Sequence, residues 1–264
     1  AHTRHIFWIS TRRRDPLFVQ FATMELPGAL PNNAPRTHTT QPILTGTSVL
    51  AVKYADGVMM SSDTLASYGG LARFSNIVRL HPVGDNTLIG CTGDLSDFDQ
   101  VKRHLHDLIV EDFCADDGDK ITAPEIYSYL SRLLYNKRSK MNPYWTSLIV
   151  GGVSNGKTFL GIVDKLGMNF EEDFLTTGYG SHLALPILRN KWKPDMTEAE
   201  AKALLDECMR VLFYRDCRTI NKITTGKITG AGPASVSAPY SVTTEWDLES
   251  FKKSKSSGDS AGSW

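Results

Sequence analysis

The sequence predicts an α+β fold, a four-layer αββα sandwich of two antiparallel sheets flanked by helices. Three observations lead there. Strand and helix patterns come in clusters (strands, two helices, strands, two helices, strands) without the strict alternation of a parallel sheet. Hairpin signals at Ala55-Asp56-Gly57 and Ser154-Asn155-Gly156 each join two runs of strand character. No tandem repeat suggests a solenoid.

The elements follow in order. Ser48–Tyr54 alternates and Val58–Ser62 returns it; Ile77–Leu80 and Asn86–Thr92 read as two more short strands around Gly84-Asp85. Residues 94–114 form a helix, with Val101, Leu105, Leu108, Ile109 and Phe113 on one stripe and Asp94 or Ser96 as cap. Residues 123–137 repeat the pattern on Ile126, Tyr129, Leu130, Leu133 and Leu134. Thr122 is the N-cap, Glu125 completes a capping box and Pro124 sits in the first turn. Ser147–Val153 and Lys157–Val163 are strands. A third helix starts near Gly180-Ser181, and a fourth runs from Thr197 to Tyr214 with Glu200 at the capping-box position. Thr219–Thr225 and Ser235–Val242 close the list as strands.

Composition narrows the function classes. The 264 residues are 41% hydrophobic and 22% charged, ordinary globular usage with enough chain for a large core. Lys plus Arg and Asp plus Glu both number 29, so there is no electrostatic footprint for nucleic acid or an anionic membrane. No apolar run approaches the ~20 residues of a membrane-spanning helix. Cys91, Cys114, Cys208 and Cys217 have no metal-ligand or CxxC spacing and read as reduced, partly buried thiols. His104 and His106 stand at i, i+2 on a helix and cannot share a metal, so they read as surface histidines. No cofactor is expected.

The two ends have a different texture. Residues 1–38 carry Pro16, Pro27, Pro31 and Pro35 and no hydrophobic period, so a disordered leader is expected there, with Met24 as an internal start. Ile6-Phe7-Trp8-Ile9 is too short for a signal-peptide core, and Arg12-Arg13-Arg14 follows it, the wrong order for secretion. A domain over 39–251 comes next, then a flexible tail over 252–264. Trp246, Leu248 and Phe251 are apolar residues in a polar extension, the pattern of interface anchors.

From Thr45-Gly46-Thr47-Ser48-Val49 onward the chain resembles the self-processing amino-terminal-nucleophile hydrolases, specifically proteasome beta subunits. The resemblance continues through Ser62-Asp63, Asp94-Leu95-Ser96-Asp97, Arg138-Ser139-Lys140-Met141-Asn142-Pro143, Thr177-Gly178-Tyr179-Gly180 and Tyr214-Arg215-Asp216, covering roughly residues 39–250. Within that family it is most similar to the beta-7 type, called beta type-4 in mammalian usage and regarded as non-catalytic. Thr40–Val49, Ser67–Phe74 and Arg138–Pro143 carry that likeness. The resemblance implies a 28-subunit particle of alpha and beta subunits in cytoplasm and nucleus, working in ATP- and ubiquitin-dependent protein degradation. It also implies a carboxyl-terminal extension that reaches the opposite beta ring.

Chemistry weighs against cleavage by this chain. A threonine peptidase of this class needs a free terminal amine as base beside its hydroxyl. By resemblance Thr47 holds the nucleophile position, Asp63 the carboxylate and Gly93 the oxyanion donor, with Asp216 retained. Where the family has its catalytic lysine this chain has Arg79, permanently charged and unable to relay a proton. Tyr179 replaces a serine, and Thr219 replaces another. Thr47 is therefore expected to stay internal, with maturation by a neighbour's cut near His38–Thr40. Asp63 also reads as a turn cap or as the partner of Arg79, and a structural bidentate Asp–Arg pair is favoured over a catalytic role. Arg138 and Lys140 complement a helix dipole, and the resemblance adds contact with a neighbouring subunit. The competing readings are an active threonine endopeptidase using Thr47 and a free-standing hydrolase of the same fold.

Overall fold

The computed structural model describes residues 41–245 except 117, 155 and 231. The proposed leader, Trp246, Leu248, Phe251 and the tail lie outside the described residues.

The chain runs β1 (Leu44–Gly46), β2 (Val49–Tyr54), β3 (Gly57–Asp63), β4 (Ala66–Tyr68), β5 (Leu71–Phe74), β6 (Leu80–Val83), β7 (Thr87–Asp94), α1 (Leu95–Ala115) and α2 (Ala123–Ser139). It continues with β8 (Thr146–Ser154), β9 (Lys157–Val163), β10 (Asn169–Glu171), β11 (Phe174–Thr176), α3 (Gly180–Leu183), α4 (Leu185–Lys191), α5 (Glu198–Arg215), β12 (Ile223–Thr229) and β13 (Gly232–Val236). Every strand pair is antiparallel. One sheet has the order β10-β9-β8-β7-β1-β4-β5, with β6 also on β7; the other is β11-β2-β3-β12-β13.

Burial on both faces explains the near-continuous hydrophobicity of β2. Val49 and Ala51 join Val58, Met60, Leu88, Ile149 and Ile228 between the sheets. Leu50, Val52 and Tyr54, one residue out of phase, face a second core with Leu204, Leu205, Met209 and Leu212 of α5. A third core joins α1 and α2 to the other sheet through Val101, Leu105, Ile126, Leu130, Leu134, Leu148 and Val163. The layers are thus helix, sheet, sheet, helix, as the sequence pattern predicts.

Helix starts follow their caps. Asp94 caps α1, its Oδ1 accepting from the amides of Ser96 (2.8 Å) and Asp97 (3.2 Å). In α5 the Glu200 amide donates to Thr197 Oγ1 (3.3 Å), and the Thr197 amide donates to Glu200 Oε2 (2.8 Å). Replacing Thr197 by Ala removes the first of these bonds and is expected to lower stability by about 1 kcal/mol. A calorimetric melt of Thr197→Ala beside Thr197→Ser, which should stay near the parent, checks it.

Several expectations need correction. The strand expected over Ile77–Leu80 lies instead over Leu80–Val83, where it pairs with β7. Phe113 is 83% exposed, since α1 outruns the sheet beneath it and its buried residues end at Leu105. In α2 the buried aromatic is Tyr127, set edge-on to Phe159, while Tyr129 and Leu133 are only half-buried. The third helix is two short ones, α3 and α4, with Pro186 in the first turn of α4. The last strands slide to Ile223–Thr229 and Gly232–Val236, leaving Tyr240 as a lone bridge to Ile223. His104 is half-buried, its Nε2 3.2 Å from Tyr144 Oη, and burial lowers its pKa. Cys91 and Cys208 are buried and Cys114 and Cys217 exposed, all four as free thiols.

Candidate functional site

The site forms where β1 hands over to β2, at the edge between the two sheets. Gly46 ends β1, Thr47 follows, and Val49 opens β2. β3 ends at Asp63, α5 ends just before Asp216, and Arg79 precedes β6. These segments bring Thr47, Asp63, Arg79, Asp216 and Thr219 together; Gly93 joins through its pairing with Gly46.

Arg79 is completely buried and forms the hub. Its Nε donates to Asp63 O (3.2 Å), and Nη1 donates to Thr47 O (2.7 Å) and Cys91 O (3.1 Å). Nη2 donates to Ser48 O (3.1 Å) and to Asp63 Oδ1. A guanidinium has five N–H donors, and all five are used. The carboxylate takes only one arm of the fork, so the contact departs from a bidentate pair: the neighbouring nitrogen reaches the Asp63 carbonyl. Asp63 is itself fully buried. Burial pushes its pKa up, and the Arg79 charge beside it opposes that rise, aided by the Leu65 amide. Burial also pushes the Cys91 thiol up to about 12, so it stays protonated.

Thr47 donates its hydroxyl to Asp216 Oδ2 at 2.6 Å. The same oxygen accepts from Thr219 Oγ1 (2.9 Å), and Oδ1 accepts from the Arg218 amide (3.0 Å). Asp216 thus stops α5 and orients the Thr47 hydroxyl.

The groove beside Thr47 is occupied by the chain's own β1. Thr45 pairs with Ser67 of β4 on one side and with Asp94 of β7 on the other; Gly46 pairs with Gly93. Upstream, the Ile43 amide donates to Asp94 Oδ2 (2.7 Å). An extended peptide laid alongside Gly93 would have to displace this strand. A Cβ on Gly46 would overlap Arg79 Cδ, so the glycine lets the arginine stem pass.

Tyr179 stands apart: it is 60% exposed, and no hydrogen bond among the described residues links it to Thr47. Its carbonyl accepts from the amides of His182 (3.0 Å) and Leu183 (3.1 Å) at the start of α3. Ser48 fills the neighbouring space, its Oγ accepting from the Gly180 amide (2.9 Å). Arg138 and Lys140 are exposed at the end of α2, Arg138 5.6 Å from the Tyr135 ring, and Met141 beyond them is 80% exposed with φ +56°. No cluster among the described residues could hold a metal ion, and no described helix is long and apolar enough to cross a membrane.

Sequence reasoning missed β1, β4, β5, β10 and β11, all three or four residues long. For β1 a signal was available: Ile43-Leu44-Thr45 after Pro42 is a short run of strand character.

Two antiparallel sheets between helix layers, with a Gly-Thr step feeding β2 beside the strand that ends at Asp63, have the layout of amino-terminal-nucleophile hydrolases. The chain belongs to the proteasome subunit family, whose model (Proteasome subunit) matches residues 43–228. It is 46% identical to proteasome subunit beta type-4 of Arabidopsis thaliana over 226 residues, 86% of this chain and 91% of that one. It is 44% identical to probable proteasome subunit beta type-7 of Schizosaccharomyces pombe, covering 81% of this chain and 84% of that one. With proteasome subunit beta type-7 of Saccharomyces cerevisiae the identity is 43%, over 70% and 74% of the two chains.

Proposed function

We propose that this chain is a structural beta subunit of the 20S proteasome core that cleaves no peptide bonds itself. It completes a beta ring, helps close the proteolytic chamber and, through its carboxyl-terminal extension, supports the joining of two rings in a 28-subunit particle of alpha and beta subunits. Its place of work is the cytoplasm and nucleus, in ATP- and ubiquitin-dependent protein degradation. Arg138, Lys140 and Met141, exposed at the end of α2, offer a surface to a neighbouring subunit.

One observation carries the reading: Arg79 has spent every donor on Asp63 and on main-chain carbonyls, including that of Thr47. A threonine nucleophile needs a titratable amine network, and loss of a general base typically costs 10² to 10⁴-fold in rate. Here Arg79 stands where the lysine would be, with all five donors committed, and β1 lies in the groove. The rival reading, a threonine endopeptidase using Thr47, requires β1 to be cut at Gly46-Thr47. Intact-mass and amino-terminal analysis of the purified particle, with and without a peptidyl epoxyketone, separates the two. The expected result is a mature terminus upstream of Thr47, near 39–41, and no adduct. A terminus at Thr47 carrying the epoxyketone would overturn the proposal.

A further inference from the structure

After β13 the chain leaves the sheets, and residues 240–245 have no strand or helix of their own beyond the lone bridge at Tyr240. They are nevertheless held by one stripe of α5. Asp206, Arg210 and Tyr214 recur every four residues and so share a face of that helix. Asp206 Oδ1 accepts from Tyr240 Oη (2.5 Å), which stands 2.7 Å from Thr225 Oγ1. Arg210 Nε donates to Thr243 O (2.8 Å). Tyr214 Oη donates to Glu245 O (2.9 Å) and accepts from the Glu245 amide (2.6 Å). Asn221, beyond α5, grips the same course: Nδ2 donates to Val242 O (2.7 Å), and Oδ1 accepts from the Val242 amide (2.8 Å). The Val242 side chain is buried in the α5 core.

The contacts ascend in step: 206 with 240, 210 with 243, 214 with 245. The segment therefore runs in the direction of α5 towards its carboxyl-terminal end. The three bonds to Thr243 and Glu245 lie in exposed surroundings, where water would satisfy the same main-chain groups. What the side chains add is a fixed course.

We propose that Asp206, Arg210, Tyr214 and Asn221 form a rail that aims the extension beyond residue 245 at a beta subunit of the facing ring. The inference rests on the assignment of that extension to ring joining made above. Its physical basis is tethering. Each residue fixed on the rail shortens the free linker, raises the extension's effective concentration at its docking site and lowers the ordering cost of docking.

The test uses particles assembled with the full-length chain, with the Arg210→Gln/Tyr214→Phe double variant, and with a chain ending at residue 245. Half-particle and full-particle bands are followed on native gels, and hydrogen exchange at the Glu245 amide is read in half-particles. The double variant is expected to enter half-particles normally, lose protection at Glu245, and join roughly 2-fold more slowly. Unchanged protection at Glu245, or freed amides with joining at the parent rate while truncation slows it, would overturn the rail. Normal joining by the truncated chain would sink the ring-joining assignment, and the rail with it. Should the double variant fail to enter half-particles, Tyr214→Phe alone, which deletes one hydroxyl and keeps the ring, is judged by the same criteria.

Discussion

Arg79→Met is expected to destabilise the chain by about 3–5 kcal/mol, the range found when one member of a buried ion pair is removed. The reason is local. Methionine refills most of the stem's volume but leaves Asp63 charged and buried, with four carbonyl oxygens stripped of their donors. The loss should depend on pH in a definite direction. Burial already raises the Asp63 pKa, and removing the guanidinium takes away the influence that opposes it. In the unfolded chain the carboxyl titrates near its ordinary ~3.9. A folded-state pKa above the unfolded value means that the folded protein binds the proton more tightly. The stability contribution is then fully present below the unfolded pKa and is lost as pH rises through the folded one. Arg79→Met should therefore lose more stability at about pH 8 than at about pH 5 in urea titrations. Adding Asp63→Asn should recover part of the loss by removing the uncompensated charge. A single variant within about 1 kcal/mol of the parent at both values would show that the hub is not what holds the β1–β2 junction.

The same hub explains why Arg79→Lys should not be a neutral exchange. A lysine ammonium has three donors for the five acceptors now served, so Arg79→Lys leaves two without partners. β1 would still lie between β4 and β7.

How much of this was legible depended on the range of the signal. Periodicity and capping are local, so α1, α2 and α5 were placed to within a few residues: Asp94, Thr122 and Thr197 announce them. The αββα layering is legible because strand and helix patterns come in clusters without strict alternation; that β2 is buried on both faces is not, since Ser48–Tyr54 reads as alternating. Strands of three residues carry too few alternations to stand out, which hid β1, the strand in the groove, and β4, one of its two walls. Residues 47, 63, 79, 216 and 219 were singled out in advance, but only the fold shows how they connect. The carbonyls of Thr47, Ser48 and Cys91 as Arg79 acceptors leave no trace in side-chain identity, because every residue has a carbonyl. Tyr179 reads in the sequence only as the replacement of a serine; the structure shows its ring solvent-exposed and Ser48 bonded to the α3 turn.

Gly93→Ala should produce the other large loss, roughly 2–6 kcal/mol, by a route that involves no charge. Gly93 has φ +105°, a conformation L side chains rarely adopt. A Cβ there would also collide with the Trp145 carbonyl oxygen, which accepts from the Asp94 amide at 2.8 Å. Both objections are to backbone, and neither can be relieved by a rotamer change. Relief requires β7 and β8 to part at the Gly93–Thr146 pair, which loosens Gly46 on the other side of β7 and displaces Asp94, the cap of α1. An oxyanion role would need a glycine here only for the approach of its amide to substrate. The strand geometry needs one whether or not substrate ever comes. The two requirements part company in the variant: a strand requirement predicts a lower melting temperature and faster amide exchange at Asp94, Ser96 and Asp97. An alanine chain that melts with the parent and keeps those amides protected would show that the glycine is there for chemistry after all.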